Sequence, residues 1–378
     1  MSCKFLSLYK SQASKAEGEV VSLLAVGDIM FSRNVARVVE KNGVDCFFSK
    51  VDGIFRQSDM TIGNLENPIS NKGVPNPENI SNFRASPKVA CALKRFTILT
   101  LANNHIFDFG SPAIKETIKV LNQQGVIAMG VGKKAEEARR PVIITRRGVR
   151  FGFLNYTSMR AKTNHCRGYT LASLKPLSNA KRDISNLKRY VNFIIVSLHF
   201  GYAGVMYPSP EAIDQARALI DSGANLIIGH HPHILQGVER YRHGFILYSL
   251  GDFIFDGEDL LRKETGIYKI NFTRERLVSI ELLPLIIDNS YKPVPAGNSK
   301  AFEIYIRIKR LSQLLNVSKN DKLFLEQAKK TFINDEFEDL RLLFRKNGIK
   351  GIITKLKRLR NLRLLHLKIL LKVVKSKV

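Results

Sequence analysis

The chain has 378 residues, 44% hydrophobic and 25% charged, enough to bury one large α/β domain with an appendage or two ordinary domains, and too apolar for wholesale disorder. Its formal net charge of +27 is uneven: residues 341–378 hold 13 Lys and Arg and no Asp or Glu, leaving 47 basic against 33 acidic residues in 1–340. Four cysteines, at 3, 46, 91 and 166, show no C-x-x-C or paired spacing, which argues against a zinc ribbon or a disulfide framework.

Residues 1–19 form an N-terminal segment whose apolar patch is too short for a secretory signal, and no run reaches the ~18–20 apolar residues that span a bilayer. The expected location is therefore cytoplasmic or peripheral to a membrane. From residue 20 short apolar runs recur, each ending in a polar cluster. They are "VVSLLAVGD" (20–28), "MTIGNLE" (60–66), "FTILTLANNH" (96–105), "VNFIIVSLH" (191–199), "NLIIGHHPH" (225–233) and "FILYSLGD" (245–252). Continuous apolar strands imply burial on both faces, hence layered sheets with helices outside. Helices are predicted at "SPAIKETIKVLNQQG" and "SPEAIDQARALIDSG", each opening on Ser-Pro and closing on Gly. "RPVIITRRGVRFGFLNYT" reads as a hairpin turning at Arg147-Gly148, and "GIYKINF" and "LVSIELLPLII" as further strands. After the Pro-rich "KPVPAGN" the pattern becomes helical. The expected organisation is a 20–297 domain and a basic helical extension over 298–378.

In α/β folds the residues following strand C-termini converge on one edge, where ligands bind. Here they are Asp28, Glu66, Asn104, His105, His199, His231 and His233. Taken singly, each has an ordinary structural use as a turn residue, a helix-start acid or a core histidine. Together they offer carboxylates, an amide oxygen and imidazoles, the inventory of a two-metal hydrolytic site with ions about 3.5–4 Å apart. His231 and His233, at i and i+2, would point the same way on an extended segment, with His230 alternating to the other side. His105 is suited to protonate a leaving group or steady an oxyanion.

The stretches "AVGDIMFSR" (25–33), "IGNLENPIS" (62–70), "TLANNHIFDFG" (100–110), "VGKKAEEARRPV" (131–142), "SLHFGYAGVMYPSP" (197–210), "IGHHPHILQGVERY" (228–241) and "YSLGDFIFD" (248–256) carry a resemblance. In order and wording they resemble the CapA (PGA_cap) family of bacterial capsule-biosynthesis proteins, within the calcineurin-like metallophosphoesterase superfamily, over about residues 20–290. The resemblance implies an α/β fold of two stacked sheets flanked by helices. It implies Asp28 on a first metal, Glu66 as bridge, Asn104 and His199 on a second, His231 and His233 divided between them, and His105 as acid. Two divalent ions, drawn from Mn, Fe or Zn, are expected, with Asn64, Asn103, Asp108, His230 and Asp252 bracing them or facing substrate. Three departures stand out. Met30 occupies the His position of the superfamily's Asp-x-His and Gly63-Asn64-Leu65-Glu66 replaces its Gly-Asp, both features that the CapA pattern accepts, and Asp252 stands where "SLGNF" has Asn.

Ile352, Leu356, Leu359, Leu362, Leu365, Ile369 and Val373 step by three and four, marking a basic amphipathic helix. It could lie on an anionic membrane, bind a polyanion by charge alone, or pack on the body. No motif supports specific nucleic-acid recognition. Two functional readings follow. One is a capsule-biosynthesis enzyme whose metal-activated water attacks a phosphoester or amide-type bond in an anionic surface polymer or its precursor. The other is a non-catalytic factor that holds the polymer, or other capsule-synthesis proteins, at the membrane.

Overall fold

The computed structural model describes residues 4–11, 19–79, 81–159, 168–317, 322–328 and 331. The predicted extension helix at 352–373 lies outside them. In chain order the strands begin with β1 (Leu6–Lys10), β2 (Val21–Ile29), β3 (Met60–Leu65), β4 (Ile98–Thr100), β5 (Ile127–Met129) and β6 (Val131–Gly132). Next come β7 (Val142–Arg146), β8 (Val149–Thr157), β9 (Thr170–Leu171), β10 (Phe193–His199), β11 (Leu226–His230) and β12 (Val238–Tyr241). The last are β13 (Gly244–Leu247), β14 (Asp252–Ile254), β15 (Glu264–Phe272), β16 (Leu277–Ile287) and β17 (Pro293–Pro295). The helices are α1 (Arg33–Asn42), α2 (Asp52–Arg56), α3 (Ala90–Leu93), α4 (Gly110–Gln123), α5 (Ala135–Ala138), α6 (Leu177–Leu187), α7 (Pro210–Asp221) and α8 (Asn298–Val317).

One sheet runs β1-β16-β15-β2-β3-β4-β5, with β14 continuing beside the end of β2 and β17 beside β16. Its β14-β2-β3-β4-β5 part is parallel. The other runs β12-β13-β11-β10-β8-β7, with β8, β10, β11 and β13 parallel and antiparallel strands at both edges. Alternation along β2 shows how the layers stack. Leu23 and Ala25 enter a core shared with Phe151 and Phe153 of β8, Ile195 of β10 and Ile228 of β11, whereas Leu24 and Val26 face a core containing Val35 of α1 and Ile114 and Leu121 of α4. On the far side Ile194, Val196 and Leu198 of β10 pack with Ile184 of α6 and Ile213 and Leu219 of α7. The order is therefore helix, sheet, sheet, helix: the layering expected from strands apolar on both faces, in the two-sheet sandwich that the resemblance implies.

The Ser-Pro start holds at α7, where Ser209 accepts from Ala212 N–H at 3.1 Å and Pro210 opens the helix. At α4 the helix begins at Gly110, one residue ahead of Ser111, without a side-chain cap. The run "FILYSLGD", read as one strand, divides between the sheets. β13 lies in the second and β14 in the first, and Gly251, at φ +67°, makes the turn between them. Residues 6–10, expected as part of a separate N-terminal segment, form β1 against β16. α8 lies on the domain: Ile304 and Ile308 are buried in the core between the sheets, and Ser312 Oγ accepts from Val238 N–H at 2.8 Å. The chain divides into two compact units, of which the one bearing this sandwich runs from Met1 to Phe324. Among the described residues no helix is long and apolar enough to cross a membrane. Cys46 and Cys91 are free thiols, while Cys3 and Cys166 lie outside the described residues.

Candidate metal centre

Strand register places the polar residues in two rows. Across the first sheet Asp252, Asp28 and Asn64 are side by side, and across the second Thr157, His199 and His230. Apart from Asp252, which opens β14, both rows lie at the C-terminal ends of parallel strands, where successive βα turns open a crevice. The strand ends are clamped by backbone contacts that leave no room for a Cβ. One built on Gly27 would lie 1.9 Å from Gly251 O, and one on Gly229 2.0 Å from Tyr248 O. Asp28 N–H donates to Gly251 O at 2.9 Å and Met30 N–H to Ile254 O at 2.8 Å, which sets Asp252 beside Asp28.

Asp28, Glu66, His199 and Asp252 are wholly buried. Asp28 Oδ1 accepts from Asn64 Nδ2 at 2.8 Å, and Asp28 Oδ2 from His231 N–H at 3.1 Å. His233 Nδ1 lies 2.8 Å from Asp252 Oδ1 and 3.5 Å from Asp28 Oδ2, and its Nε2 is 3.8 Å from Glu66 Oε1. His199 Nε2 lies 2.7 Å from Asn104 Oδ1 and 3.6 Å from Glu66 Oε1. Three sets emerge whose ligand atoms fall within 4.8 Å of one another: Asp28, Glu66 and His199; Glu66, His231 and His233; Asp28, His233 and Asp252. Both Glu66 oxygens, His231 Nδ1 and Asp252 Oδ2 are buried with no hydrogen-bond partner among the described residues. Leaving such groups unpaired costs about 1–3 kcal/mol each, more when charged, so their convergence on one crevice fits a group that supplies the missing partner. A divalent cation could be that group: every orphan can be a lone-pair donor to it, and together they form an oxygen and nitrogen donor set.

Electrostatics point the same way. Burial and then the charge of Asp28 push the carboxyls of Glu66 and Asp252 well above their usual range. Burial would raise Asp28 too, but contact with His230 and the charges of His230, His233 and His199 hold it below that range. Burial, then the neighbouring His231, keeps His199 well below the ordinary imidazole value, and burial takes His231 and His233 down to about 3. Neutral imidazoles beside crowded carboxyls are the form that binds metal.

The bracing residues fall into place around this set. Asn64 Nδ2 also lies 3.3 Å from His199 Nδ1, and Asn64 Oδ1 accepts from Asn103 Nδ2 at 3.2 Å. Asn103 Oδ1 in turn accepts from the amides of His105 and Ile106, so the Asx turn that aims the loop is built on Asn103 rather than Asn104. His105 Nδ1 lies 2.8 Å from buried Asp108 Oδ2, which also accepts from Phe83 N–H, and the His105 ring stacks on Phe83 at 4.0 Å. Half-buried, His105 stands at the margin of the cluster.

Two expectations need correction. β11 ends at His230, and the next residues do not continue as an extended segment. His231 and His233 adopt φ +95° and +60°, conformations that cost a non-glycine residue of order 1–3 kcal/mol and recur at functional sites. Both rings reach the crevice because the chain folds back there. His230 is not turned away from the cluster either: it is buried, with Nδ1 3.2 Å from Asp28 Oδ1 at ion-pair distance but without hydrogen-bond alignment. At the mouth stand residues that strand-end reasoning did not single out. Arg33 pairs with Asp256 and lies over the rings of Phe83, at 4.6 Å, and Phe255, at 5.6 Å. Arg262 acts electrostatically on Glu66 and Asp252. Arg33 and Asp256 end two of the resembling stretches, whereas nothing in the sequence marks Arg262.

A family model described as bacterial capsule synthesis protein PGA_cap matches residues 22–257. The chain is 31% identical over 298 residues to "Capsule biosynthesis protein CapA" of Bacillus anthracis, covering 75% of this chain and 72% of that protein. It is 28% identical over 334 residues to "PGA biosynthesis protein CapA" of Bacillus subtilis (strain 168), covering 85% of each. Among solved structures, a 5'-nucleotidase from Candida albicans aligns with a TM-score of 0.44 at 12% identity, over 87% of this chain and 60% of that one.

Proposed function

Since the chain belongs to the bacterial capsule synthesis protein family PGA_cap, we propose that its buried cluster is a two-metal hydrolytic centre working on an anionic capsule polymer or its precursor. The observation that carries this reading is the set of buried, unpartnered donors on Glu66, His231 and Asp252 in one crevice. Asp28, Glu66 and His233 would hold one ion, and Glu66, Asn104, His199 and His231 the other. Bound ions, of Mn, Fe or Zn, supply Lewis acidity toward a phosphoryl or acyl oxygen.

The chain's own residues do the rest. Asn64 fixes Asp28 and His199 relative to one another, and Asn103 fixes Asn64. Asp108 accepts the Nδ1 proton of His105 and orients the ring, leaving Nε2 toward the departing group as its proton donor, and stacking on Phe83 restricts the ring. Arg33 and Arg262 place positive charge at the mouth, where an anionic chain approaches.

The test is cleavage of bis(p-nitrophenyl) phosphate and of γ-linked glutamate oligomers by the Mn2+-loaded protein. His105→Ala is expected to slow turnover about 10²–10⁴-fold without loss of metal. No turnover of either substrate by a metal-loaded protein would overturn the enzymatic reading. That result would favour the second one, a polymer-binding assembly factor, for which the observation is Met30: its buried thioether accepts from Ser32 N–H at 2.9 Å, where an imidazole would serve the first ion.

A further inference from the structure

Met30 leaves the ion on the Asp28 side one ligand short, and what stands beside that gap is a carboxylate. Asp252 opens β14, which runs parallel to the end of β2 with Asp252 opposite Asp28. Asp252 is wholly buried. Its Oδ1 meets His233 Nδ1 at 2.8 Å, and its Oδ2 has no partner among the described residues. Asp28, His233 and Asp252 bring one ligand atom each within 4.8 Å of one another. Asp28, Glu66 and Asp252, three wholly buried carboxyls, have only histidines at ion-pair distance, with no Lys or Arg pairing to them among the described residues. A bare carboxylate there would be driven to neutralise, and one whose lone pair faces a cation would not. Meanwhile Met30 packs its side chain in the apolar cluster with Phe31 and Phe47.

We propose that Asp252 is a metal ligand that takes the place vacated at Met30, and that it makes the two ions chemically unequal. This inference rests on the two-metal reading above. The ion on the Asp28 side would be held by three carboxylates, Asp28, Glu66 and Asp252, with a single imidazole, His233. The other would be held by His199 and His231 with Asn104 and the shared Glu66. Hard oxygen donors suit Mn2+ and Mg2+, whereas imidazole nitrogen suits Zn2+. The centre is accordingly a mixed one, with Mn2+ selecting the Asp252 side and Zn2+ the His199 and His231 side.

The test is a titration of the chelator-stripped full chain with Mn2+, read by the electron paramagnetic resonance signal of the free ion, and with Zn2+, read by elemental analysis. It compares wild type with Asp252→Asn, which keeps the side chain's size, and with His231→Ala. The wild type is expected to take up both metals together. Asp252→Asn should bind Mn2+ at least 10-fold more weakly while retaining one Zn2+, and His231→Ala should do the reverse. Mn2+ binding by Asp252→Asn at wild-type affinity would overturn the role of Asp252 and leave the metal centre standing. A wild type that binds neither ion would overturn the centre and the inference with it.

Discussion

Asn64 shows how much one side chain organises here. Its amide touches Asp28 and His199, one from each sheet, and its oxygen is itself held by Asn103. The sequence places Asn64 both as a departure from a Gly-Asp pattern and among the residues bracing the cluster or facing substrate, and the structure adds which two side chains it joins. Protonation works at the same scale. His231 and His233, ordinarily near 6.5 and here at about 3, stay neutral in the folded chain while the unfolded chain takes up protons, so they remove stability as pH falls from about 6.5 toward 3. Glu66 and Asp252, raised by burial, act oppositely: the folded chain keeps protons that the unfolded chain releases above its ordinary carboxyl range, so stability is lost as pH rises through the raised values. A cation bound in the proposed centre would replace those protons and compete with them on the imidazoles. Thermal melts with and without Mn2+ should therefore show a larger gain in Tm at pH 8 than at pH 5. An equal gain at both values would mean that these groups are not the ligands.

At the scale of elements the centre depends on strand ends held in contact. Each of the six apolar runs singled out in the sequence contains a strand, because continuous apolar character marks strands buried on both faces and the polar residue marks where they emerge. What the sequence hid was connectivity in space. No local signal says that "FILYSLGD" changes sheets at Gly251, or that the chain after His230 turns through two left-handed histidines, since both features are fixed by backbone partners far away in sequence. Gly27 is the joint between β2 and the turn before β14. Gly27→Ala would push a methyl group onto Gly251 O, and the expected cost is about 3 kcal/mol or more together with loss of metal binding, measured by urea denaturation and metal uptake. A stable variant with full metal uptake would show that the two strand ends need not touch.

For the whole molecule, one compact α/β sandwich gathers residues from position 28 to position 252 into a single crevice. Its layering was legible in the sequence because continuous apolar runs mark strands buried on both faces, its two-sheet form only through the resemblance of the motifs, and membership of the capsule synthesis family agrees with their order. Less legible was α8, which read as the start of a separate extension and lies with Ile304 and Ile308 in the core between the sheets, since helical periodicity alone does not say what a helix packs against. The strongly basic 341–378, for which a membrane or polyanion partner was weighed, lies outside the described residues. The central claim is that the crevice holds two divalent ions, and the most direct measurement is the metal-to-protein ratio of the purified full chain after reconstitution and desalting. The account predicts close to two ions per chain in the wild type and at most one in His233→Ala. A substoichiometric ratio that His233→Ala leaves unchanged would contradict it.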